Sequence, residues 1–270
     1  YWDNQYHHLS HVNYSTVHAI PYDMYVSGHD SEGVSVLRLW AAKAPNFDMS
    51  MFNQGDYEKA LGQNAAANAI SKVLYPNDNH LEGKSLRLRQ QYFLCAASVG
   101  DIVNNHMSVY GTLDNLHEKV AIHINDTHPT LAIPELMRVL LDDCGYTWDK
   151  AWHIVTNTFA YTNHTVMAEA LEKWPRHYLD TVVPQLMPII EKLDDIAKTR
   201  TTDSSLAIID QNQVVHMAHM DIHFSHSTNG VAALHTQILK ESELAGFYQM
   251  YPNKFNNKTN GITFRRWIHG

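Results

Sequence analysis

The stretch Lys119-Val-Ala-Ile-His-Ile-Asn-Asp-Thr-His-Pro129 carries the strongest fold signal, because an apolar run changes abruptly to polar residues. β-Branched residues at alternate positions of the run predict a buried strand. The polar residues Asn125 to His128 then follow the carboxyl end of that strand, where open α/β sheets bind ligands. A carboxylate, an amide and an imidazole at this place could hold a molecule rich in hydroxyl groups. The alternative is an ordinary strand-to-helix turn in which Asp126 or Thr127 caps a helix before Pro129.

A second polar cluster follows a second predicted strand. Residues 160–162 have the pattern of a short strand, and Asn163, His164 and Thr165 come directly after it. Because the carboxyl ends of parallel strands meet at one edge of a sheet, we expect this cluster to lie beside residues 126–128.

The remaining periodic segments predict a helix-rich α/β fold with a parallel sheet. Residues 168–174 form a predicted helix, and two more cover 178–198 with a break near Pro184 and Pro188. The other predicted elements are a hairpin of strands at 17–26 and 34–40, helices at 56–73, 84–104, 134–143 and 148–158, and a strand at 119–126.

Composition limits the class of protein. The chain has 270 residues, of which 44% are hydrophobic and 18% charged, as in globular proteins. The formal net charge is -8, with 20 Lys and Arg against 28 Asp and Glu, so an extensive basic surface for nucleic acid is not expected. Membrane association is not expected either, since no transmembrane segment is visible.

The termini and the cysteines suggest a cytoplasmic segment of a longer protein. Cys95 and Cys144 lie in apolar, helix-like sequence and predict buried thiols in a reduced compartment. The chain starts at Tyr1 without methionine, shows no signal peptide, and stops at Gly270 without a tail, so we expect more sequence on either side.

Histidine offers a competing pattern. His216, His219, His223 and His226 recur at spacings that would share one face of a helix, which is a conceivable metal site. No cysteine or carboxylate completes a familiar ligand signature, so we expect a histidine face that is solvated or lines the core, and no metal.

Several blocks occur in one fixed order between about residue 18 and the last residue. They are Leu37-Arg-Leu-Trp40, Val73-Leu-Tyr-Pro-Asn-Asp-Asn79, Glu82-Gly-Lys84, Leu86-Arg-Leu88, Gln91-Tyr-Phe93, Asn125-Asp-Thr-His-Pro129, Ala132-Ile-Pro-Glu-Leu-Met-Arg-Val139, Trp148-Asp-Lys-Ala-Trp152, Ala160-Tyr-Thr-Asn-His-Thr165 and Thr259-Asn-Gly-Ile-Thr263. This set closely resembles the α-glucan phosphorylases, the family of glycogen, starch and maltodextrin phosphorylases, and covers about the middle third of a bacterial-type member.

The resemblance implies a fold and a domain arrangement. Family members have two Rossmann-like domains that face each other across a cleft, the GT-B arrangement. Residues 1–258 resemble the second half of the N-terminal domain, and residues 259–270 resemble the start of the crossover to the C-terminal domain. That domain, with the cofactor lysine and the residues that bind phosphate, lies downstream in the family. Animal members also carry a regulatory, allosteric N-terminal segment.

The resemblance also implies a reaction. Inorganic phosphate attacks the terminal α-1,4-linked glucose of glycogen or maltodextrin and releases glucose 1-phosphate, with pyridoxal phosphate as cofactor and a homodimer as the usual assembly. This segment alone is expected to be inactive without the cofactor lysine. The alternative, from another functional class, is an oligosaccharide-binding or structural module without catalysis.

The resemblance assigns the principal sugar contacts. His164 would direct its main-chain carbonyl towards the bound glucose, and Asn79, beside Asp78 in a gate loop, would bind a sugar hydroxyl. Tyr75 in that loop would stack on an acceptor glucose, and Thr165 would line the glucose pocket.

Further contacts are implied less directly. Asp126 and His128 would bind acceptor-side sugars, with Arg87 and Glu169 nearby. Asn260 resembles an asparagine that binds a glucose hydroxyl, and Trp267 would approach the cofactor. Two departures occur: Ala168 and Phe264 stand where many members have proline.

Overall fold

The computed structural model describes residues 2–3, 5–12, 14–45 and 49–264. The chain divides into two compact units. We call Leu9–Asp101 the hairpin unit, and Tyr1–His8 together with Ile102–Gly270 the sheet unit. Trp267, the expected cofactor neighbour, lies outside the described residues.

The hairpin unit begins with the predicted antiparallel hairpin, which is confirmed. Strands β1 (His18–Ser27) and β2 (Val34–Lys43) pair along their whole length. The Gly28 amide donates to the Gly33 carbonyl at 2.8 Å and closes the connection. The helices that follow are α1 (Met49–Asn53), α2 (Tyr57–Lys72) and α3 (Leu81–Tyr110), and the last turns of α3 belong to the sheet unit. The two long helices predicted here are confirmed.

The sheet unit alternates strands with helices. Its strands are β3 (Ile122–Asn125), β4 (Phe159–Thr162), β5 (Lys173–Pro175), β6 (Val214–His216), β7 (Ser227–Gly230) and β8 (Phe255–Asn257). Its helices are α4 (Leu116–Lys119), α5 (Ala132–Arg138), α6 (Trp148–Thr158), α7 (Arg176–Val182), α8 (Met187–Arg200), α9 (Met217–Phe224), α10 (Ala233–Ile238) and α11 (Ala245–Met250). A π-helical turn, Val139–Asp143, continues α5.

A parallel sheet is the centre of this unit and confirms the α/β prediction. Within the described residues it has four strands in the order β3-β4-β7-β8, and every neighbouring pair is parallel. Ile124, Phe159 and Tyr161 point into the interior and are almost completely buried. Parallel strands need a long crossover between them, and the intervening helices supply it. Among the described residues, none of the helices has the length and apolar character of a membrane-spanning segment.

The helix predicted at residues 168–174 is wrong. Only Ala168–Ala170 form a short 3₁₀ turn, and Lys173–Pro175 form β5, which pairs antiparallel with β6. Trp174 is buried, and a partner strand some 40 residues away satisfies the backbone, so tertiary pairing overrides local helix propensity.

The environment predicted for one cysteine is also wrong. Cys95 is buried as expected, but Cys144 is exposed. The π-helical turn ends at Asp143, and Gly145 has a φ of +70°, so Cys144 lies at the end of the helix rather than on its buried face.

Candidate functional site

The carboxyl ends of β3 and β4 lie side by side in the sheet unit. Asn125 pairs with Thr162 as the last residues of the two strands. The Asp126 amide then donates to the Thr162 carbonyl at 2.9 Å, and the Asn163 amide donates to the Asn229 carbonyl at 3.0 Å. The two polar clusters expected to meet therefore leave the same edge of the sheet, which we call the polar edge: residues 125–128, 163–165 and 229–231.

A side-chain contact joins the two clusters directly. His164 Nε2 lies 2.6 Å from Asn125 Oδ1, so the ring donates from Nε2 to the amide oxygen. Both residues are exposed. Within the described part of the chain, no donor bonds the His164 carbonyl oxygen, the atom that the family resemblance directs at glucose.

Asn163 sets the backbone path at His164. Its side chain is fully buried, its Nδ2 donates to the Tyr161 hydroxyl at 3.1 Å, and its Oδ1 accepts the Thr165 amide at 2.9 Å. Burial raises the pKa of the Tyr161 phenol well above its usual value, so this group stays neutral. A buried asparagine with donor and acceptor both in use fixes the turn that presents His164 to solvent.

His235 links Thr165 to the segment that carries Asn260. The Val231 amide donates to His235 Nδ1 at 3.1 Å, so the hydrogen of the neutral ring is on Nε2, which donates to the Thr165 carbonyl at 3.1 Å. The Asn260 amide donates to the Val231 carbonyl at 2.9 Å. The structure thus connects two predicted site residues, Thr165 and Asn260, through a histidine that sequence reasoning missed.

Gly230 makes this close approach possible. A Cβ atom at Gly230 would lie 2.4 Å from Thr236 Oγ1, 2.8 Å from His235 Nδ1 and 3.0 Å from the Thr236 Cα. No side chain fits at those distances, so the chain needs glycine for β7 to pack against the start of α10.

The turn after β3 is tight and polar. Asp126 has a φ of +67°, and its Oδ1 accepts the Thr127 amide at 2.8 Å. This left-handed conformation is tolerated by aspartate because the short side chain bonds the local backbone. His128 follows in the same turn and is exposed. The Asp126 side chain is thereby held at the polar edge.

Glu172 is a second contact that the sequence did not reveal. Thr127 Oγ1 donates to Glu172 Oε2 at 3.0 Å, and Trp174 Nε1 donates to Glu172 Oε1 at 2.9 Å. Glu169, the carboxylate expected at the site, lies exposed on the 3₁₀ turn that precedes. The incorrect helix prediction at residues 168–174 did not distinguish these two carboxylates. Glu172 lies directly before β5, and it contacts Thr127 in the turn after β3.

The predicted gate loop belongs to the hairpin unit. Tyr75 is 79% exposed and has a φ of +54°. Arg87 Nη1 donates to Asp78 Oδ2 at 2.7 Å, and this hydrogen bond lowers the pKa of the Asp78 carboxyl. The backbone amide of Asn79 donates to Asn77 Oδ1 at 3.0 Å, and the Asn79 side chain is exposed on the loop.

The four histidines of the competing pattern do not share a helix. His216 ends β6, His219 and His223 lie on α9, and His226 is exposed beyond it. Burial lowers the pKa of both His219 and His223 to about 4, so they are neutral. His219 Nδ1 bonds the Ala207 carbonyl at 2.7 Å. Within the described residues, no group of three or more His, Cys, Asp or Glu could hold a metal ion.

A family model for carbohydrate phosphorylases matches residues 2–270 of the chain. The chain belongs to this family. The resemblance noted from the sequence is therefore confirmed, and the parallel α/β unit with its polar edge is the local structure of a phosphorylase segment.

Relatives that match along nearly the whole chain include glycogen phosphorylases. The Bacillus subtilis (strain 168) enzyme is 44% identical over 270 residues, covering 97% of this chain and 33% of that protein. The muscle forms from Oryctolagus cuniculus and Homo sapiens are each 45% identical over 277 residues, covering 95% of this chain and 33% of each relative. The chain spans about a third of the length of the curated relatives that it matches.

Proposed function

We propose that the full-length protein carrying this chain is an α-glucan phosphorylase. It transfers the terminal α-1,4-linked glucose of glycogen or maltodextrin to inorganic phosphate and releases glucose 1-phosphate. Membership of the carbohydrate phosphorylase family supports this reaction class. The observation that carries the proposal is the polar edge, where two parallel strands bring His164 and Asn125 into direct contact.

The polar edge has the chemistry that glucan binding needs. Sugar hydroxyls bind carboxylate, amide and carbonyl oxygens. Asp126 and the backbone of residues 163–165 supply such oxygens at the edge, and Asn260, bonded to the Val231 carbonyl, supplies an amide beside it. The His164 carbonyl carries no hydrogen bond from the described residues, so its dipole is free to stabilise positive charge that develops at the anomeric carbon. The rigid bonding of Asn163 and His235 means that little reorganisation is needed when this charge appears.

The hairpin unit contributes proposed glucan contacts of its own. Tyr75 is exposed and offers a ring face for stacking on an acceptor glucose. Asn79 offers an amide to a sugar hydroxyl, and the Arg87 ion pair holds Asp78 beside it. His128 and Glu169 remain proposed contacts to acceptor sugars.

Pyridoxal phosphate is the cofactor that the family resemblance implies, and it supplies the acid–base chemistry of its phosphate group. A lysine would hold it. The two lysines beside β8 do not fit this role: Lys254 Nζ donates to the Ile222 and His223 carbonyls, and Lys258 Nζ donates to Asn256 Oδ1 at 2.6 Å. In agreement with the family resemblance, we propose that residues outside this chain hold the cofactor.

We also propose that the full-length protein is a cytoplasmic homodimer. α2 presents exposed Tyr57 and Leu61, and it resembles the helix that family members use for homodimer contact. The division at residues 258 and 259, with a second domain downstream, is likewise proposed from the resemblance. A cytoplasmic location suits the reduced state expected of Cys95 and Cys144.

The direct test is an assay of the full-length protein with maltoheptaose and inorganic phosphate. We expect glucose 1-phosphate to form only when both substrates are present. Release of free glucose, or oligosaccharide binding without any product, would instead favour hydrolysis or a non-catalytic binding module.

A further inference from the structure

Asp221 is a buried carboxyl group that the proposed reaction does not use. It lies on α9, its side chain is completely buried, and its Oδ2 is 2.7 Å from Thr130 Oγ1. Its Oδ1 has no hydrogen-bond partner among the described residues. An ionised carboxylate at such a place would be strongly disfavoured.

The hydrogen bonds of Thr130 indicate where the proton is. Thr130 Oγ1 lies 2.8 Å from the Thr127 carbonyl oxygen and 2.7 Å from Asp221 Oδ2. A hydroxyl group has one hydrogen, and a carbonyl oxygen can only accept. Both contacts are hydrogen bonds only if Asp221 Oδ2 carries a proton and donates it to Thr130.

The electrostatic surroundings agree with this assignment. Burial raises the pKa of the Asp221 carboxyl well above its usual value. The negative charges of Glu172 and Asp126 raise this pKa further. The Tyr161 phenol also lies close to Asp221, and it is neutral because its own pKa is raised.

The hydrogen bonds that start at Asp221 and Thr130 reach the turn at the polar edge. Thr130 bonds the Thr127 carbonyl through its hydroxyl and, at 3.2 Å, through its amide. Thr127 in turn bonds Glu172 and follows Asp126 with its positive φ. Any shift of Thr130 would therefore move the turn after β3 and the partner of Glu172 together.

We propose that Asp221 is a protonated positioning residue that acts through Thr130 to hold the Asp126–Thr127 turn and Glu172 for glucan binding. It does not touch the sugar. This role rests on the proposed phosphorylase function, whereas the protonation of Asp221 does not.

The chain provides a matched control in Asp194, another buried aspartate. Its Oδ1 accepts the amides of Ile208 and Ile209 at 2.9 and 3.0 Å, and its Oδ2 pairs with Lys198 Nζ at 2.5 Å. These partners are all donors, so Asp194 is bound as an ionised carboxylate. Substitution by asparagine should therefore remove a protonated carboxyl group at Asp221 and an ionised carboxylate at Asp194.

The protonation is tested by infrared difference spectra of the full-length protein at pH 7. Subtracting the spectrum of Asp221→Asn from that of the wild type should leave the carbonyl stretch of a protonated carboxyl group. The same subtraction with Asp194→Asn should leave carboxylate bands. Carboxylate bands at both positions would overturn the assignment, whether or not the protein has phosphorylase activity.

The positioning role is tested by phosphorolysis of maltoheptaose. Asp221→Asn keeps a donor for Thr130 and should retain kcat/KM within about twofold, whereas Asp221→Ala and Thr130→Val should each lower it about tenfold, since one buried hydrogen bond is lost. Equal losses in Asp221→Asn and Asp221→Ala would overturn the role. A wild-type protein without phosphorolysis would refute the proposed function but leave the infrared result standing.

Discussion

His164 donates from Nε2 to Oδ1 of Asn125 at 2.6 Å, across the junction of two parallel strands. The two residues are 39 positions apart in the sequence, yet each follows or ends a strand at the same edge of the sheet. This contact fixes the imidazole ring, and Asn163 independently fixes the backbone on which that ring is carried. The Asn125 contact to the ring and the Asn163 contact to the backbone together fix the orientation of the His164 carbonyl.

Removal of the Asn125 amide should weaken catalysis more than folding. In Asn125→Ala the His164 ring loses its acceptor, and we expect kcat/KM for maltodextrin to fall about three- to tenfold, the effect of one hydrogen bond. Thermal unfolding should change little, because both side chains are exposed. The matched control is Asn157→Ala, which breaks a similar exposed bond to the His153 carbonyl on α6. Equal activity losses in the two variants would contradict the assignment.

The structure and the sequence favour different carboxylates at the site. Both oxygens of Glu172 accept hydrogen bonds, from Thr127 and Trp174, so Glu172→Ala would leave two buried donors without this acceptor. We expect kcat/KM for maltodextrin to fall about tenfold or more, because an unsatisfied buried group is costly. Glu169→Ala should change it less than about twofold, as is usual for an exposed side chain. The reverse order, measured in the same assay, would restore the interpretation made from the sequence.

Gly230 should tolerate no side chain. In Gly230→Ala the new Cβ would meet Thr236 Oγ1 at 2.4 Å and the Thr236 Cα at 3.0 Å. We expect a loss of about 1–3 kcal/mol in the free energy of unfolding, as for other overpacked sites. Gly62→Ala in α2 is the control: nothing lies within 4 Å of its Cβ, so the same substitution should stabilise by about 0.5–1 kcal/mol. Urea denaturation measures both, and a stable Gly230→Ala protein would refute the close approach.

His223 should make the protein sensitive to acid. Burial lowers the pKa of His223 to about 4, the nearby Arg200 and Lys254 lower it too, and the Leu206 carbonyl and Asp194 oppose them. The unfolded chain therefore binds one more proton than the folded protein between about pH 4 and the usual histidine pKa of about 6.5. Stability from this group is complete above about pH 6.5 and is lost as the pH falls towards 4.

His223→Gln should remove this part of the pH dependence while keeping a donor and an acceptor. Between pH 7 and pH 5 we expect the wild type to lose about 1–2 kcal/mol more unfolding free energy than the variant. His226→Gln, at an exposed position, should follow the wild type. Parallel pH curves for wild type and His223→Gln would show that His223 is not neutral in the folded protein.

Local sequence signals predicted the elements whose contacts are local. The helix expected at residues 148–158 is α6, with the same bounds, because its apolar stripe lies along one helix face. The meeting of the chain after β3 and β4 also followed from sequence, since parallel strands place their carboxyl ends together. The chemical roles of Asp126, His164 and Thr165 stay predictions.

Contacts that depend on distant partners could not be predicted. Residues 168–174 have a helical pattern, but residues 173–175 pair with β6 as a strand, and Glu172 before them lies at the site. His235 contacts the Thr165 carbonyl from 70 residues away, and its neighbouring sequence gives no sign of this bond. In both cases the outcome depends on how elements pack, which periodicity does not encode.

The position of a bound sugar tests the account most directly. Crystals of the full-length protein soaked with maltoheptaose should show a glucose residue within hydrogen-bond distance of the polar edge, beside the His164 carbonyl and Asn260. Glucan bound only at other surfaces, with solvent alone at the His164 carbonyl, would contradict the assignment.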